Sequence, residues 1–174
     1  YLSFQGAGAC TSDGKAPWCV STWGVDGGLS RQYPVPLAGG DFARALGVPP
    51  PCVMQNDYSI LNRRIEENGV SEASSPMLEN TGFMAYDVLA GGVLTGKYDG
   101  LASAPEGTRL KLFDNYFERY ANTCAAECVD CYKQTAFDFN MSPAALAIAF
   151  CDSRPFVTST IIGATTLEQL DENI

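Results

Sequence analysis

Three thiols stand at a spacing that can do chemistry. Cys124, Cys128 and Cys131 form a C-x₃-C-x₂-C run, which can offer three thiolates to a [4Fe–4S] cluster. The same positions, i, i+4 and i+7, lie on one face of a helix, and Asp130 precedes the last cysteine within a helical stretch. Free cysteines also pack as small buried hydrophobes, so the helix face is the preferred reading. Lys97 and Arg109 are cations in a polar segment, residues 93–112. Loops longer than about 12–15 residues are uncommon in compact domains unless functional or disordered. Thr166 and Gln169 have the spacing of a helix capping box.

The elements that must position these groups alternate. Residues 1–17, rich in Gly, Ala and Ser, have neither helix nor strand period and read as a loop or lead-in. Residues 19–25 are β-branched and aromatic, bounded by Asp26-Gly27-Gly28, and read as a buried strand. A short helix is expected near residues 42–46, stopped by Gly47 and Pro49-Pro50-Pro51, then a strand at 52–55. A weak helical stretch at 71–80 is interrupted by Pro76, and residues 83–88 form a third strand ending at Gly91-Gly92. Helices are expected near 114–120, 123–137 and 143–151, the last opened by Ser142-Pro143 as N-cap and first helical residue. Residues 158–163 read as a fourth strand, followed by a helix from Thr166. Short apolar strands alternating with helices indicate an α/β fold with a parallel sheet covered on both faces. Four strands are half of a (β/α)₈ barrel, which takes about 250 residues. An open doubly wound sheet is the alternative, without its G-x-G-x-x-G fingerprint.

Composition narrows the classes. The 174 residues are 46% hydrophobic and 18% charged, ordinary for one globular domain or part of one. A net charge of -9 with 11 Lys+Arg argues against a sequence-independent nucleic-acid binder. No run approaches 18 apolar residues, so no membrane span is expected. The start at Tyr1 and the end at Ile174 inside a helix suggest a chain cut from a longer polypeptide. Seven cysteines fit a reducing compartment, with cytosol, plastid stroma and mitochondrial matrix all open.

Three blocks carry a family resemblance. They are residues 55–63, beginning Gln55-Asn56-Asp57-Tyr58, residues 85–98, with Tyr86, Leu89, Gly91-Gly92 and Gly96-Lys97-Tyr98, and residues 161–173, with Gly163-Ala164-Thr165 and Gln169 to Asn173. Together they resemble the aldo-keto reductases, in the branch of bacterial oxidoreductases and potassium-channel β-subunits, over roughly residues 14–174. The resemblance implies a partial (β/α)₈ TIM barrel, with the four strands here as its last four units, residues 18–174 being the carboxy-terminal half. It also implies NADP(H) lying across the carboxyl ends of the strands. Tyr86 then stacks on the nicotinamide, Gln55 bonds its carboxamide, Leu89 lines the pyrophosphate, and Lys97 and Arg109 face the phosphates. Gly163 and Thr165 correspond to a phosphate loop at a helix amino terminus, and Gln169, Glu172 and Asn173 to adenosine contacts.

The chain also departs from the family pattern. Asp26-Gly27 replaces a Ser-Asn pair, and Asp87-Val88 replaces Ser-Pro, bringing two carboxylates toward a polyanion. Like charges about 4 Å apart cost on the order of 1–4 kcal/mol. The family's Asp–Tyr–Lys–His tetrad lies on its first four strands and is absent from this chain, which has no histidine at all. The polypeptide as it stands is therefore not expected to reduce carbonyls. Two readings stay open: the cofactor side of an NADP(H)-dependent reductase of aldehydes or ketones, or a degenerate, non-catalytic accessory subunit whose open barrel edges are covered by protein partners.

Overall fold

The computed structural model describes residues 3–4, 19–21, 41, 43–78, 80–98, 107–112, 120 and 123–174. The strand expected at 19–25 is seen as β2 (Cys19–Ser21). Its remainder, the Asp26-Gly27 pair and residues 114–119 of an expected helix lie outside the described residues. β3 (Val53–Asp57), β4 (Gly82–Tyr86) and β5 (Ser159–Thr160) follow, and β2 to β5 run parallel in chain order. β1 (Ser3–Phe4) adds to β2 antiparallel, which corrects the loop reading at those two residues. Pairing them occupies N–H and C=O groups that β2 would otherwise present at an open edge.

The helices are α1 (Arg64–Glu67), α2 (Val70–Ala73), α3 (Arg109–Leu112), α4 (Thr123–Asp138), α5 (Pro143–Asp152) and α6 (Leu167–Asn173), with a 3₁₀ turn at Ala90–Thr95. Residues 43–46 are also helical, as expected. α5 starts where the sequence places it: Ser142 Oγ accepts from the Ala145 N–H at 3.0 Å, and Pro143 needs no partner for a missing donor. Its buried residues Ala144, Ala147 and Cys151 share one face. The stretch expected at 71–80 is helical only to Ala73, because a residue before proline disfavours the helical region and Ser75 precedes Pro76. The segment 93–112 is not loop throughout, since the 3₁₀ turn takes its start and α3 its end.

Burial alternates along the central strands. Met54, Phe83 and Ala85 are fully buried, whereas Val53, Gln55, Met84 and Tyr86 are half-buried. Two clusters form the core. Met54, Tyr58, Ile65, Val70, Phe83, Val88 and Cys151 fill one, and Val93, Leu94, Tyr98, Tyr120, Val129 and Tyr132 the other, with Leu89 packed against both. Tyr58 meets Phe83 and Phe156 edge-on at centroid distances of 6.4 and 5.4 Å and stacks on Phe150 at 5.7 Å. Aromatic pairs of this kind add about 0.5–1.5 kcal/mol each beyond their burial.

Candidate functional site

Because β3, β4 and β5 are parallel, their carboxyl ends lie along one rim, the place where parallel barrels carry their sites. The register sets Gln55 beside Met84 and Asp57 beside Tyr86, so Gln55 and Tyr86 share one face of the sheet, both half-buried. The rim is knitted by backbone and side chains. Tyr58 N–H donates to the Tyr86 carbonyl at 3.0 Å, and Ser59 and Asn62 exchange backbone hydrogen bonds at 3.1 Å. Asn62 Nδ2 donates to buried Asp57 Oδ2 at 2.6 Å, with Arg64 Nη2 3.7 Å from the same oxygen.

The segment after β4 is held in an unusual backbone. Asp87, Ala90, Gly91 and Gly92 all have positive φ, at 57°, 49°, 65° and 97°. Only glycine adopts such values freely, so Asp87 and Ala90 are held there by the turn around them. Asp87 Oδ1 accepts from the Gly91 N–H at 2.8 Å, and Oδ2 accepts from the Tyr120 hydroxyl at 3.0 Å. Both oxygens of this carboxylate are thus engaged, one by the turn and one by Tyr120. Lys97 is exposed, and its ammonium lies 5.1 Å from the centroid of the Tyr98 ring, within cation–π range. A methyl group on Gly92 would lie 2.9 Å from Lys97 Cε, 3.0 Å from Lys97 Nζ and 3.2 Å from the Tyr98 hydroxyl oxygen. Gly92 is therefore what lets the Lys97 chain fold back over the turn. Arg109 opens α3, and its side chain lies outside what the structure describes.

The third segment leaves β5. Gly163, Thr165, Gln169 and Glu172 are exposed and Asn173 is half-buried. Thr166 caps α6 by accepting from the Gln169 N–H at 3.3 Å, as the capping box predicts. Gln169 Oε1 in turn accepts from the Thr165 N–H and hydroxyl, each at 3.0 Å. Gln169 thus organises the loop as well as occupying a candidate binding position. Glu168 is held below the usual carboxylate range by its own N–H and by the Thr166 hydroxyl.

Tyr98 escaped the sequence-based candidate list although it adjoins Lys97. The signal available was a tyrosine directly after the one lysine of a glycine-rich block. The cysteine run is helical, as preferred, but Cys128 and Cys131 are exposed, correcting their expected burial. Among the described residues no three His, Cys, Asp or Glu side chains gather as metal ligands, and no described helix is long and apolar enough to cross a membrane.

A profile of the Aldo/keto reductase family matches residues 41–174. The chain belongs to that family. It is 37% identical over 149 residues to an aldo-keto reductase of Babesia bovis, covering 84% of this chain and 52% of that protein. It is 42% identical over 121 residues to Protein tas of Escherichia coli K12, covering 70% and 34%, respectively. It is 34% identical over 133 residues to a probable voltage-gated potassium channel subunit beta of Oryza sativa subsp. japonica, covering 76% and 40%. The chain spans about half, or less, of the length of these curated relatives. Aldo-keto reductases are oxidoreductases with a (β/α)₈ barrel that generally bind NADP(H), and the parallel sheet of β2 to β5 is consistent with part of that barrel. The residues present fit such a group in two respects. Lys97 offers an exposed cation beside a turn without side chains at Gly91 and Gly92, and a buried hydroxyl next to it, that of Tyr98, has no partner among the described residues.

Proposed function

We propose that this chain is the cofactor-side, carboxy-terminal half of an aldo-keto reductase barrel, β2 to β5 being its fifth to eighth strands, and that it binds NADP(H) along their carboxyl rim. The observation that carries this reading is the convergence of three segments on one rim: Gln55 and Tyr86 on one sheet face, Lys97 after β4, and the Gly163–Thr165 loop after β5. Tyr86 offers a ring for stacking on the nicotinamide and Gln55 an amide able both to donate and to accept toward its carboxamide. Leu89, anchored between the two core clusters, fixes the turn that faces the pyrophosphate. Lys97 and Arg109 supply positive charge locally on a chain of net charge -9. Gln169, Glu172 and Asn173 line the adenosine end.

In this reading the Asp–Tyr–Lys–His residues that move the proton in carbonyl reduction belong to the other half of the barrel, and the cofactor, when bound, supplies the hydride. Asp87 does not present a free carboxylate to the phosphates, since Gly91 and Tyr120 hold both its oxygens. A second reading, a non-catalytic accessory subunit, has its support in the likeness to a protein named as a potassium channel subunit beta. Fluorescence titration of the full-length protein with NADPH separates them. Saturable binding that weakens at least tenfold in Tyr86→Ala is expected, and no binding at millimolar NADPH would sink the cofactor reading.

A further inference from the structure

The Tyr98 hydroxyl is the one buried side-chain polar atom among the described residues without a hydrogen-bond partner. The residue is 4% exposed and packs with Val93, Leu94 and Tyr120. Buried polar groups are nearly always paired, and one left without a partner is costly. Its place in the fold is equally specific. The oxygen faces the bare α-carbon of Gly92, and the Lys97 side chain occupies the same space, its terminal carbon and nitrogen both close to where a Gly92 methyl would stand. The Lys97 ammonium lies over the Tyr98 ring itself. The backbone beneath them is fixed: Thr95 Oγ1 donates to the Gly92 carbonyl at 2.8 Å, and Gly92 N–H donates to the Leu89 carbonyl at 2.9 Å. The movable part of this arrangement is therefore the exposed Lys97 side chain.

We propose that the Tyr98 hydroxyl is a latent second donor to the cofactor pyrophosphate, covered by Lys97 in the free protein. An anion arriving at the Gly91-Gly92 turn draws the ammonium off the ring toward itself, and the uncovered hydroxyl then donates to a phosphate oxygen. This rests on the reading that the rim binds NADP(H), and it adds a residue and a gating movement to that reading. It also explains why the position after Lys97 carries a tyrosine where a phenylalanine would fill the same core without an orphan.

The test compares Tyr98→Phe and Lys97→Met in the full-length protein, by melting temperature without ligand and by NADPH titration. Tyr98→Phe should melt at or above the wild-type temperature, because the hydroxyl has no hydrogen bond among the described residues to lose, yet should bind NADPH about tenfold more weakly. Lys97→Met should also weaken binding, and the double variant should lose less than the product of the two single losses, because both act on one anion. Unchanged affinity in Tyr98→Phe with a weakened Lys97→Met would overturn the inference and leave the cofactor reading standing. A lowered melting temperature with unchanged affinity would make the hydroxyl a structural group and also overturn it. Failure of the wild type to bind NADPH would overturn both.

Discussion

Tyr58 and Asp87 each follow directly on a strand, β3 and β4, and they open two regions built on opposite terms. Around Tyr58 everything is paired. Its ring touches Phe83, Phe150 and Phe156, its hydroxyl donates to Glu66 Oε1, and Glu66 also accepts from Arg63 at 3.1 and 2.5 Å. Arg154 lies 4.3 Å over Phe150, and the Cys151 thiol points to the Tyr58 carbonyl at 3.7 Å. Burial pushes the Tyr58 hydroxyl up, reinforced by Glu66, while the Arg63 hydrogen bonds hold Glu66 down. From Asp87 on, four residues take positive φ, two of them not glycine, and a buried hydroxyl has no partner among the described residues. The contrast separates a region packed for stability from one held in strain: strain persists where the surroundings over-determine it, and the second region is where the proposed binding rim lies.

The comparison can be broken at either end. The largest effect is expected from Phe83→Ala, which empties the centre of the paired region and should cost about 3–5 kcal/mol in chemical denaturation. Gly92→Ala strains the other region, because alanine at a φ of 97° is unfavourable and its methyl displaces Lys97. It should cost about 1–2 kcal/mol and weaken NADPH binding together. Phe83→Ala, by contrast, should leave affinity near wild type at temperatures where the protein stays folded.

Smaller effects depend on pH. Glu66 has a folded pKa below its unfolded value of about 4.3, so its contribution is present above that pH and is lost as pH falls through the folded value. Glu66→Gln should cost about 1–2 kcal/mol at neutral pH and show a flatter acid limb in denaturation midpoints. Cys151 runs the other way. Burial pushes its thiol up to about 12, so its contribution is full below the unfolded value near 8.5 and falls as pH rises toward 12. Cys151→Ala, costing about 1 kcal/mol at neutral pH, should flatten the alkaline limb. Alkylation of the native protein, read by mass spectrometry, should label exposed Cys128 and Cys131 and spare Cys151.

Much of the fold was legible in the sequence wherever its determinants are local. Ser142-Pro143 announces α5, Thr166 with Gln169 announces the cap of α6, and the apolar runs at 52–55 and 83–88 overlap β3 and β4 with ends within two residues of those observed. What was not legible depends on distant partners. β1 is two residues among glycines and alanines, and only its pairing with Val20 and Ser21 makes it a strand. Asp87 looked like a charge set against a polyanion, yet its carboxylate is held by Tyr120, 33 residues on. Cys128 looked like core and is exposed because α4 turns that side outward. The candidate rim was readable as a set of residues, but the covering of Tyr98 by Lys97 exists only in three dimensions.

Hydrogen–deuterium exchange of the full-length protein with and without saturating NADPH tests the central claim most directly. Protection confined to the turn at residues 86–98 and the loop at 161–173, with the Tyr58 cluster unchanged, is the result expected of a cofactor rim carried on a pre-paired scaffold. Unaltered exchange in both segments, under conditions where the protein is folded, would contradict it.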